Sequence, residues 1–428
     1  MAGRQEAQEG NGTERRGAVR PGFSFVKLLT ARFLLSPDGE VLEGGGVLVV
    51  GGRIAAVPRT SGAARRAARV HGATVEDLGQ GILTPGLVNA HAHLELSGFH
   101  RRVPATRTIR PWIESLIAMR RAVGDHTLGA GVRRGADRLL RTGTTAVGDI
   151  DSTGAAGRVL AGHRLRVRLY REVLDGGDPV RAEAACAAVR RALPRRAGLC
   201  EGLSPHSPYS VSPALFALIG KVARRRCLPV TIHWSETPAE LEWMRAGQGE
   251  LAGLVRNSPH RTGLDLIEEA GLLGPRTALV HGNHPERGEA LRIQRADATL
   301  VHCPGSHLFF GRDPFPIRHY RERGVRIALG TDSSASNDDL DMRREMALLR
   351  RSAPGLDPRE VFAMATDHGA RALGLEGEVG RLERGARADL CHFRLSSEDT
   401  KACLDELTTA IPEVGGVWIA GRRVAQHA

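Results

Sequence analysis

The stretch Leu83-Thr-Pro-Gly-Leu-Val-Asn-Ala-His91-Ala-His93 decides the fold, because an apolar run ends there in two histidines one residue apart. Side chains alternate between the two faces of an extended strand, so His91 and His93 point to the same side. Two imidazoles that project together from a strand end form half of a metal site. We therefore expect a functional centre at the carboxyl end of this strand.

Three later apolar runs also end in polar side chains. They lead to His233 and Glu236, to His281, and to Asp332. Between residues 83 and 375, such runs alternate with segments of helical apolar spacing. The predicted strands are 82–91, 144–149, 165–170, 199–204, 228–233, 277–281, 298–302 and 325–330. This alternation predicts an α/β fold, a (β/α)8 TIM barrel, whose site forms at the carboxyl ends of the strands.

The two ends of the chain have a different pattern. Residues 23–82 and 376–428 contain short β segments separated by glycine turns. This pattern predicts that both ends pair into one small β-sandwich. Residues 1–22 are polar and charged without an apolar core, so we expect a disordered tail and not a secretory signal.

Composition argues against several classes of protein. The net charge is +12, but lysine occurs only at Lys27, Lys221 and Lys401, and the arginines are dispersed. With only 4% aromatic residues and no basic stripe, we expect no specific nucleic-acid binding. No apolar run approaches the roughly 20 residues of a membrane span. The six cysteines are scattered without a C-x-x-C pair, which favours a reduced, cytoplasmic protein.

The polar residues at the strand ends indicate a metal-dependent hydrolase. A mixed set of nitrogen and oxygen ligands, suited to Zn²⁺ or Fe²⁺, is formed by His91, His93, His233 and Asp332. Such an ion would lower the pKa of a bound water towards about 7 and supply hydroxide at neutral pH. Glu236 is expected to shuttle the proton from water to the leaving group. His281 would polarise the attacked atom or orient the hydroxide, and Asp332 would double as ligand and proton acceptor.

Two alternatives concern the nature of this site and its metal number. A non-catalytic, metal-stabilised binding protein is the alternative from another class, but Glu236 and His281 favour catalysis because a structural site needs neither. Barrels with two ions often bridge them with a carbamylated lysine at the end of strand four. That strand leads here into residues 202–209, which contain no lysine. We therefore expect one divalent ion per chain.

Several segments give the chain a resemblance to the amidohydrolase superfamily. They are Pro85-Gly-Leu-Val-Asn-Ala-His-Ala-His, His206-Ser-Pro-Tyr, His233-Trp-Ser-Glu, Gly330-Thr-Asp-Ser-Ser-Ala-Ser-Asn, Ala370-Arg-Ala-Leu-Gly-Leu and Gly380-Arg-Leu-Glu-Arg-Gly-Ala-Arg-Ala-Asp-Leu. Within the superfamily, the chain is similar to the branch of nucleobase and nucleoside deaminases and triazine chlorohydrolases. The resemblance implies a mononuclear zinc or iron hydrolase with a distorted barrel, a composite β-sandwich and, by analogy, a homodimer.

The resemblance also implies roles for individual residues. The metal ligands are matched by His91, His93, His233 and Asp332. Glu236 matches the general acid/base, His281 the histidine after strand six, and His206 a ribose contact of adenosine-type deaminases. Further substrate contacts are expected from Glu95, His307 and Asn337.

Three segments narrow the resemblance to 6-aminodeoxyfutalosine deaminases of menaquinone biosynthesis: His93-Leu-Glu-Leu-Ser, Glu242-Trp-Met-Arg-Ala-Gly-Gln-Gly and His302-Cys-Pro-Gly-Ser-His. This subgroup implies hydrolytic deamination of an aminated purine-type nucleoside. Two departures lie where substrate would bind, because Gly282 replaces the usual cysteine and Ser333 a common glycine. A chlorohydrolase, or another C–N hydrolase of a heteroaromatic ring, therefore stays open as the alternative.

Overall fold

The computed structural model describes residues 25–106, 108–193 and 200–424. The predicted disordered tail, residues 1–22, lies outside these ranges. In chain order the strands are β1 (Val26–Thr30), β2 (Phe33–Leu35), β3 (Val41–Glu43), β4 (Val47–Val50), β5 (Arg53–Ala56), β6 (Thr74–Asp77), β7 (Ile82–Pro85), β8 (Leu87–Ala92), β9 (Thr144–Asp151), β10 (Arg166–Val173), β11 (Cys200–Pro205), β12 (Val230–Trp234), β13 (Thr277–His281), β14 (Thr299–His302), β15 (Arg326–Leu329), β16 (Leu390–Phe393), β17 (Val414–Ile419) and β18 (Arg422–Arg423).

Helices connect consecutive strands, both in the barrel and in the sheets built by the chain ends. They are α1 (Ser61–His71), α2 (Ile109–Arg121), α3 (Asp125–Arg141), α4 (Ala155–Leu160), α5 (Ala182–Ala192), α6 (Pro213–Arg226), α7 (Pro238–Ala246), α8 (Gly263–Glu269), α9 (Glu289–Arg295), α10 (Pro304–Phe309), α11 (Ile317–Arg321), α12 (Met342–Ser352), α13 (Pro358–Met364), α14 (Asp367–Ala372) and α15 (Thr400–Thr409), with 3-10 turns at Leu94–Phe99 and Pro179–Arg181. Among the described residues, no helix combines the length and the apolar character needed to cross a bilayer.

Strands β8 to β15 form one eight-stranded parallel sheet in which chain order and sheet order coincide. The sheet closes where Ala92 bridges Asp332, and the amides of Thr331 and Asp332 both donate to the His91 carbonyl at 3.1 Å. Within the described ranges, this bridge is the only strand pairing between the first and last barrel strands, so the barrel is distorted at its seam. The predicted distorted (β/α)8 TIM barrel is confirmed, and its seam brings Asp332 beside the histidine pair.

The two chain ends build two further sheets, which confirms the composite arrangement predicted for them. One sheet has the order β5-β4-β1-β6, and the other has the order β18-β17-β16-β7-β2-β3. Strand β16, from the carboxyl end, pairs antiparallel with β7. Apolar side chains of both sheets, including Val49 and Trp418, pack into one buried cluster. The sequence pattern did not predict helix α1, which Thr60 caps by accepting from the Ala63 amide at 3.2 Å.

The predicted strand 82–91 is wrong as a single strand, because it is two strands in different sheets. Strand β7 belongs to the end sheet, and β8 is the first barrel strand. Gly86 lies between them, and its amide donates to the Asp389 carbonyl at 2.9 Å. A Cβ on Gly86 would lie 2.2 Å from the Thr145 side chain, so only glycine allows the chain to pass here.

Replacing Gly330 with alanine is expected to destabilise the barrel at its seam. A Cβ on Gly330 would lie 2.9 Å from the His91 carbonyl oxygen and 3.0 Å from the His91 amide nitrogen, which are backbone atoms. We expect the free energy of unfolding to fall by about 1–3 kcal/mol, as for other overpacked sites. Gly355→Ala is the control in denaturant titration, because nothing lies within 4 Å of its added Cβ. Equal stability of the two variants would contradict this view of the seam.

Candidate active site

Three histidines converge at the carboxyl ends of the barrel strands. His91 and His93 come from the end of β8, and His233 comes from β12. Ligand-capable atoms of these three side chains all lie within 4.8 Å of one another, and the Nε2 atoms of His93 and His233 are 3.3 Å apart. His91 is only 1% exposed, yet neither of its ring nitrogens has a hydrogen-bond partner among the described residues. Because orphaned buried nitrogens are costly, this cluster fits a bound divalent metal ion.

Asp332 approaches the cluster from the seam of the barrel. Its Oδ1 atom is 3.7 Å from Nε2 of His91 and 3.6 Å from Nε2 of His93. Its Oδ2 atom accepts hydrogen bonds from the hydroxyls of Ser306 at 2.7 Å and Ser336 at 3.0 Å. The backbone of Asp332 has a φ of 58°, a left-handed conformation that is uncommon outside glycine. The two serines therefore fix the carboxylate with one oxygen towards the histidines.

The ring of His233 is oriented by a backbone carbonyl. Its Nδ1 atom lies 2.9 Å from the carbonyl oxygen of His206. A carbonyl can only accept, so Nδ1 carries the proton and Nε2 keeps its lone pair for the cluster.

Glu236 lies beside the cluster on the turn after β12. Its Oε1 atom is 2.5 Å from Nη2 of Arg312 and 3.7 Å from Nε2 of His281. Burial alone would raise the pKa of Glu236, but His281, which is charged only when protonated in acid, and the Arg312 guanidinium outweigh it and lower that pKa to about 2. Glu236 is therefore held as a carboxylate. In the turn after β12, Ser235 has a left-handed backbone conformation. Glu240 holds this turn, because its side-chain carboxyl group accepts from the amides of Ser235 and Glu236 at 3.0 and 2.8 Å.

His281 ends strand β13 and stacks on the ring of His233, with centroids 5.5 Å apart. Burial lowers the pKa of His281 to about 3, so its imidazole is neutral at pH 7. Its backbone φ is 79°, again in the left-handed region. A neutral ring whose Nε2 atom lies 3.7 Å from Oε1 of Glu236 can orient a water or polarise a substrate atom.

His93, His233, Glu236, His281 and Asp332 form the floor of one cavity of about 270 Å³, and His91 is buried beneath them. Much of the remaining lining is apolar and comes from α2 and the loops opposite it: Leu96, Ile109, Trp112, Ile113, Leu116, Ile117, Leu254, Val255 and Phe310. The rings of Trp112 and Phe310 meet edge to face, with centroids 5.3 Å apart. The site is therefore polar at its base and apolar along one wall, as small-molecule sites are.

The substrate-binding residues predicted from the sequence occupy different positions relative to this cavity. His206 lines it, and its Nδ1 atom lies 2.7 Å from the Ser210 hydroxyl. Glu95, His307 and Asn337 are not part of the lining formed by the described residues.

Those three residues are engaged with other groups of the protein. Glu95 lies 3.0 Å from Nη2 of Arg120, which does line the cavity. The Nε2 atom of His307 is 2.6 Å from the Asp313 carbonyl. The Asn337 amide donates to the Thr331 carbonyl at 2.8 Å, in the loop that carries Asp332. Direct substrate contact by them stays a prediction.

The structure adds residues that the sequence analysis did not single out. Arg312 follows α10 in a loop without periodicity, so no sequence signal placed it beside Glu236. Glu172 lies one residue before the end of the third barrel strand, β10, and lines the cavity with Ser152. TIM-barrel sites form at the carboxyl ends of the strands, and Glu172 occupies such a position, so the sequence pattern could have identified it.

Comparisons with known proteins agree with this geometry. A model of the amidohydrolase family matches residues 82–424. The chain is 34% identical to the aminodeoxyfutalosine deaminase of Deinococcus radiodurans, over 84% of this chain and 88% of that protein. It is 32% identical to a 5-methylthioadenosine/S-adenosylhomocysteine deaminase of Nitratidesulfovibrio vulgaris, over 85% of this chain and 82% of that protein. The fold is similar to an adenosine deaminase from Xanthomonas campestris with bound zinc, with a TM-score of 0.78, 26% identity, and coverage of 93% and 92%.

Proposed function

Because the chain belongs to the amidohydrolase family and is therefore a hydrolase acting on carbon–nitrogen bonds, we propose that it removes ammonia from an aminated purine-type nucleoside. The observation that carries this proposal is the Glu236 carboxylate, held beside the three-histidine cluster at the floor of one cavity. A structural metal site would need neither this carboxylate nor the neighbouring His281. Both lie where a substrate ring would have to react.

The metal-binding residues of this proposal are His91, His93, His233 and Asp332. When bound there, a divalent ion would supply a water of lowered pKa and so the nucleophile that a hydrolase needs at neutral pH. We favour one ion per chain and favour zinc over iron, because the similar deaminase of Xanthomonas campestris has zinc bound. The nitrogen-rich donor set suits either ion.

The residues of the chain move the protons of the reaction. Glu236 accepts a proton from the attacking water on Oε1 and donates it to a nitrogen of the purine ring. A C–O bond forms at the carbon that bears the amino group, and the C–N bond then breaks. Asp332 accepts the second water proton on Oδ1 and passes it to the departing amine, so that ammonia and a ring carbonyl result. His281 stays neutral and orients the reacting oxygen.

The apolar wall favours a nucleoside that has a bulky apolar group attached to its ribose. Side chains of α2, such as Trp112 and Leu116, line the cavity although no residue of that helix is fully buried. A free base would leave this wall uncovered. 6-Aminodeoxyfutalosine, which would place the enzyme in menaquinone biosynthesis, fits this requirement. The likeness to the Deinococcus radiodurans enzyme supports the same choice.

Ammonia release from a substrate panel tests the proposed function. Zinc-loaded and iron-loaded protein would be compared on 6-aminodeoxyfutalosine, adenosine, S-adenosylhomocysteine, methylthioadenosine, guanine, cytosine and an aminotriazine. We expect release from a purine nucleoside, with 6-aminodeoxyfutalosine the best substrate. If none of the nucleosides released ammonia although metal was confirmed bound, that result would contradict deamination of nucleosides. Chloride release from a chlorotriazine would then support the chlorohydrolase alternative.

Replacing Arg312 with methionine is expected to change the pH dependence of turnover. Removing the guanidinium raises the pKa of Glu236, because the carboxylate loses the positive charge that stabilises it. The first proton transfer needs the carboxylate, so the acid limb of kcat/KM should move to higher pH by about one to three pH units. Arg245→Met, which removes an exposed ion pair with Glu286, is the control. An acid limb that stays in place would contradict the role of Arg312.

The cellular setting of the proposed enzyme is the cytoplasm, and its assembly state is a homodimer by analogy with relatives. The six cysteines, all within the described ranges, are free thiols, which suits a reducing compartment.

Analytical ultracentrifugation would test the dimer. A gel shift at physiological salt would test the expectation that the basic chain forms no specific nucleic-acid complex.

A further inference from the structure

We propose that Glu172 determines substrate specificity by binding the vicinal hydroxyl pair of the ribose. This inference rests on the proposed nucleoside deamination. It identifies the part of the substrate that the Glu172 carboxylate binds. It predicts that the enzyme distinguishes a ribonucleoside from its deoxy analogues.

Glu172 has a fixed position at the floor of the cavity. It lies one residue before the end of β10, in the strand position from which TIM-barrel sites are built. The Ser152 hydroxyl, from the loop after β9, donates to its Oε2 atom at 2.6 Å. Both side chains line the cavity together with His93, His206 and His233. The carboxylate therefore has a supported orientation next to the histidine cluster.

One oxygen of this carboxylate is available to a ligand. Within the described ranges, Oε1 of Glu172 has no hydrogen-bond partner, and no basic side chain forms an ion pair with Glu172. The nearby Arg120 instead pairs with Glu95, whose Oε1 lies 3.0 Å from Nη2 of Arg120. The charge of Arg120 is thus matched by Glu95, and Glu172 is left as an acceptor that faces the substrate cavity.

Beside Glu172, His206 supplies a second polar group, and we call the part of the cavity lined by these two residues the polar recess. Its Nδ1 atom is engaged with the Ser210 hydroxyl at 2.7 Å, so Nε2 is the ring nitrogen left for a ligand. A carboxylate and an imidazole nitrogen together match two adjacent hydroxyls, which can donate to one group and exchange a hydrogen bond with the other.

A vicinal diol is favoured by where the recess lies. The reacting carbon of the purine must meet the histidine cluster, and the sugar is attached to the other ring of the same base. Glu172 and His206 line the cavity beside that cluster, whereas the α2 wall is apolar. Acidic side chains bind ribose hydroxyls in the same way in dinucleotide sites. The polar recess is therefore assigned to the sugar and the apolar wall to its substituent.

The test compares a ribonucleoside with its 2′-deoxy and 3′-deoxy analogues in the holoenzyme. Adenosine, 2′-deoxyadenosine and 3′-deoxyadenosine are the probes, and kcat/KM for ammonia release is measured for wild type, Glu172→Gln and Glu183→Gln. For wild type we expect the loss of a hydroxyl to lower kcat/KM by about 10-fold to 100-fold, as for a lost hydrogen bond to a charged group. For Glu172→Gln the ratio of kcat/KM for adenosine to kcat/KM for each deoxy analogue should fall close to one. Glu183→Gln, an exposed change on α5, should keep the wild-type ratio.

Other outcomes separate the failure of this inference from failure of the proposed function. An equal loss on all three nucleosides in Glu172→Gln would show a merely structural role and overturn the inference. Wild-type protein that deaminates all three at similar rates would also overturn it, while the proposed function stands. Absence of deamination of any nucleoside in the panel and the probes would overturn both.

Discussion

Replacing Glu236 with glutamine is expected to lower kcat by about a hundredfold to ten-thousandfold, the range that general acid–base catalysis contributes. Glutamine has nearly the same size, but its amide cannot accept the water proton on Oε1. The histidine cluster does not include Glu236, so the variant should keep one metal ion per chain. The measurements are kcat for ammonia release and the metal content of the purified variant.

Glu360→Gln is the matched control for this experiment. Glu360 pairs with Arg321 at 2.6 Å, as Glu236 pairs with Arg312, but far from the cavity lining and partly exposed. Its substitution therefore removes an arginine–glutamate pair without removing a proton carrier. Wild-type kcat in Glu236→Gln would contradict the proton-transfer role. Loss of metal in that variant would show that Glu236 belongs to the ligand set.

Replacing His93 with alanine is expected to abolish activity through loss of the metal ion. Its Nε2 atom lies 3.3 Å from Nε2 of His233 and 3.6 Å from Oδ1 of Asp332, at the centre of the ligand set. Removing even a supporting partner of a metal ligand costs about 10-fold to 100-fold in affinity, so removal of a ligand should cost more. Metal content, kcat, and the rise in Tm on adding zinc should all fall.

His206→Asn is the control for this substitution. His206 lines the same cavity, and its ring centroid is 4.9 Å from that of His233, but it is outside the converging cluster. The control should keep its metal and the zinc-dependent rise in Tm, even if substrate binding weakens. Full metal occupancy in His93→Ala would contradict the ligand set.

The barrel and its cluster of three histidines were predictable because the relevant signals are local. Barrel strands buried on both faces are near-continuous apolar runs, as in β13 and β14. The spacing of His91 and His93 places both on one face without any tertiary information. The break at Gly86 was missed because β7 and β8 are both apolar, and periodicity cannot show that two adjacent runs join different sheets.

The lining of the cavity was less predictable because it depends on tertiary packing. Glu95 and Asn337 are near His93 and Asp332 in the sequence, yet both are buried and outside the cavity lining. Arg312 is 76 residues from Glu236 in the chain, and only the fold of the loop after α10 brings them together. Sequence proximity therefore indicated the right region, while the identity of the lining residues required the structure.

The most direct measurement is a titration of metal-depleted protein with zinc while ammonia release from 6-aminodeoxyfutalosine is followed. If one site built from His91, His93, His233 and Asp332 carries the reaction, activity should rise in proportion to added zinc. It should stop rising at one ion per chain. Full activity without metal, or a rise that continues to two ions per chain, would contradict the account.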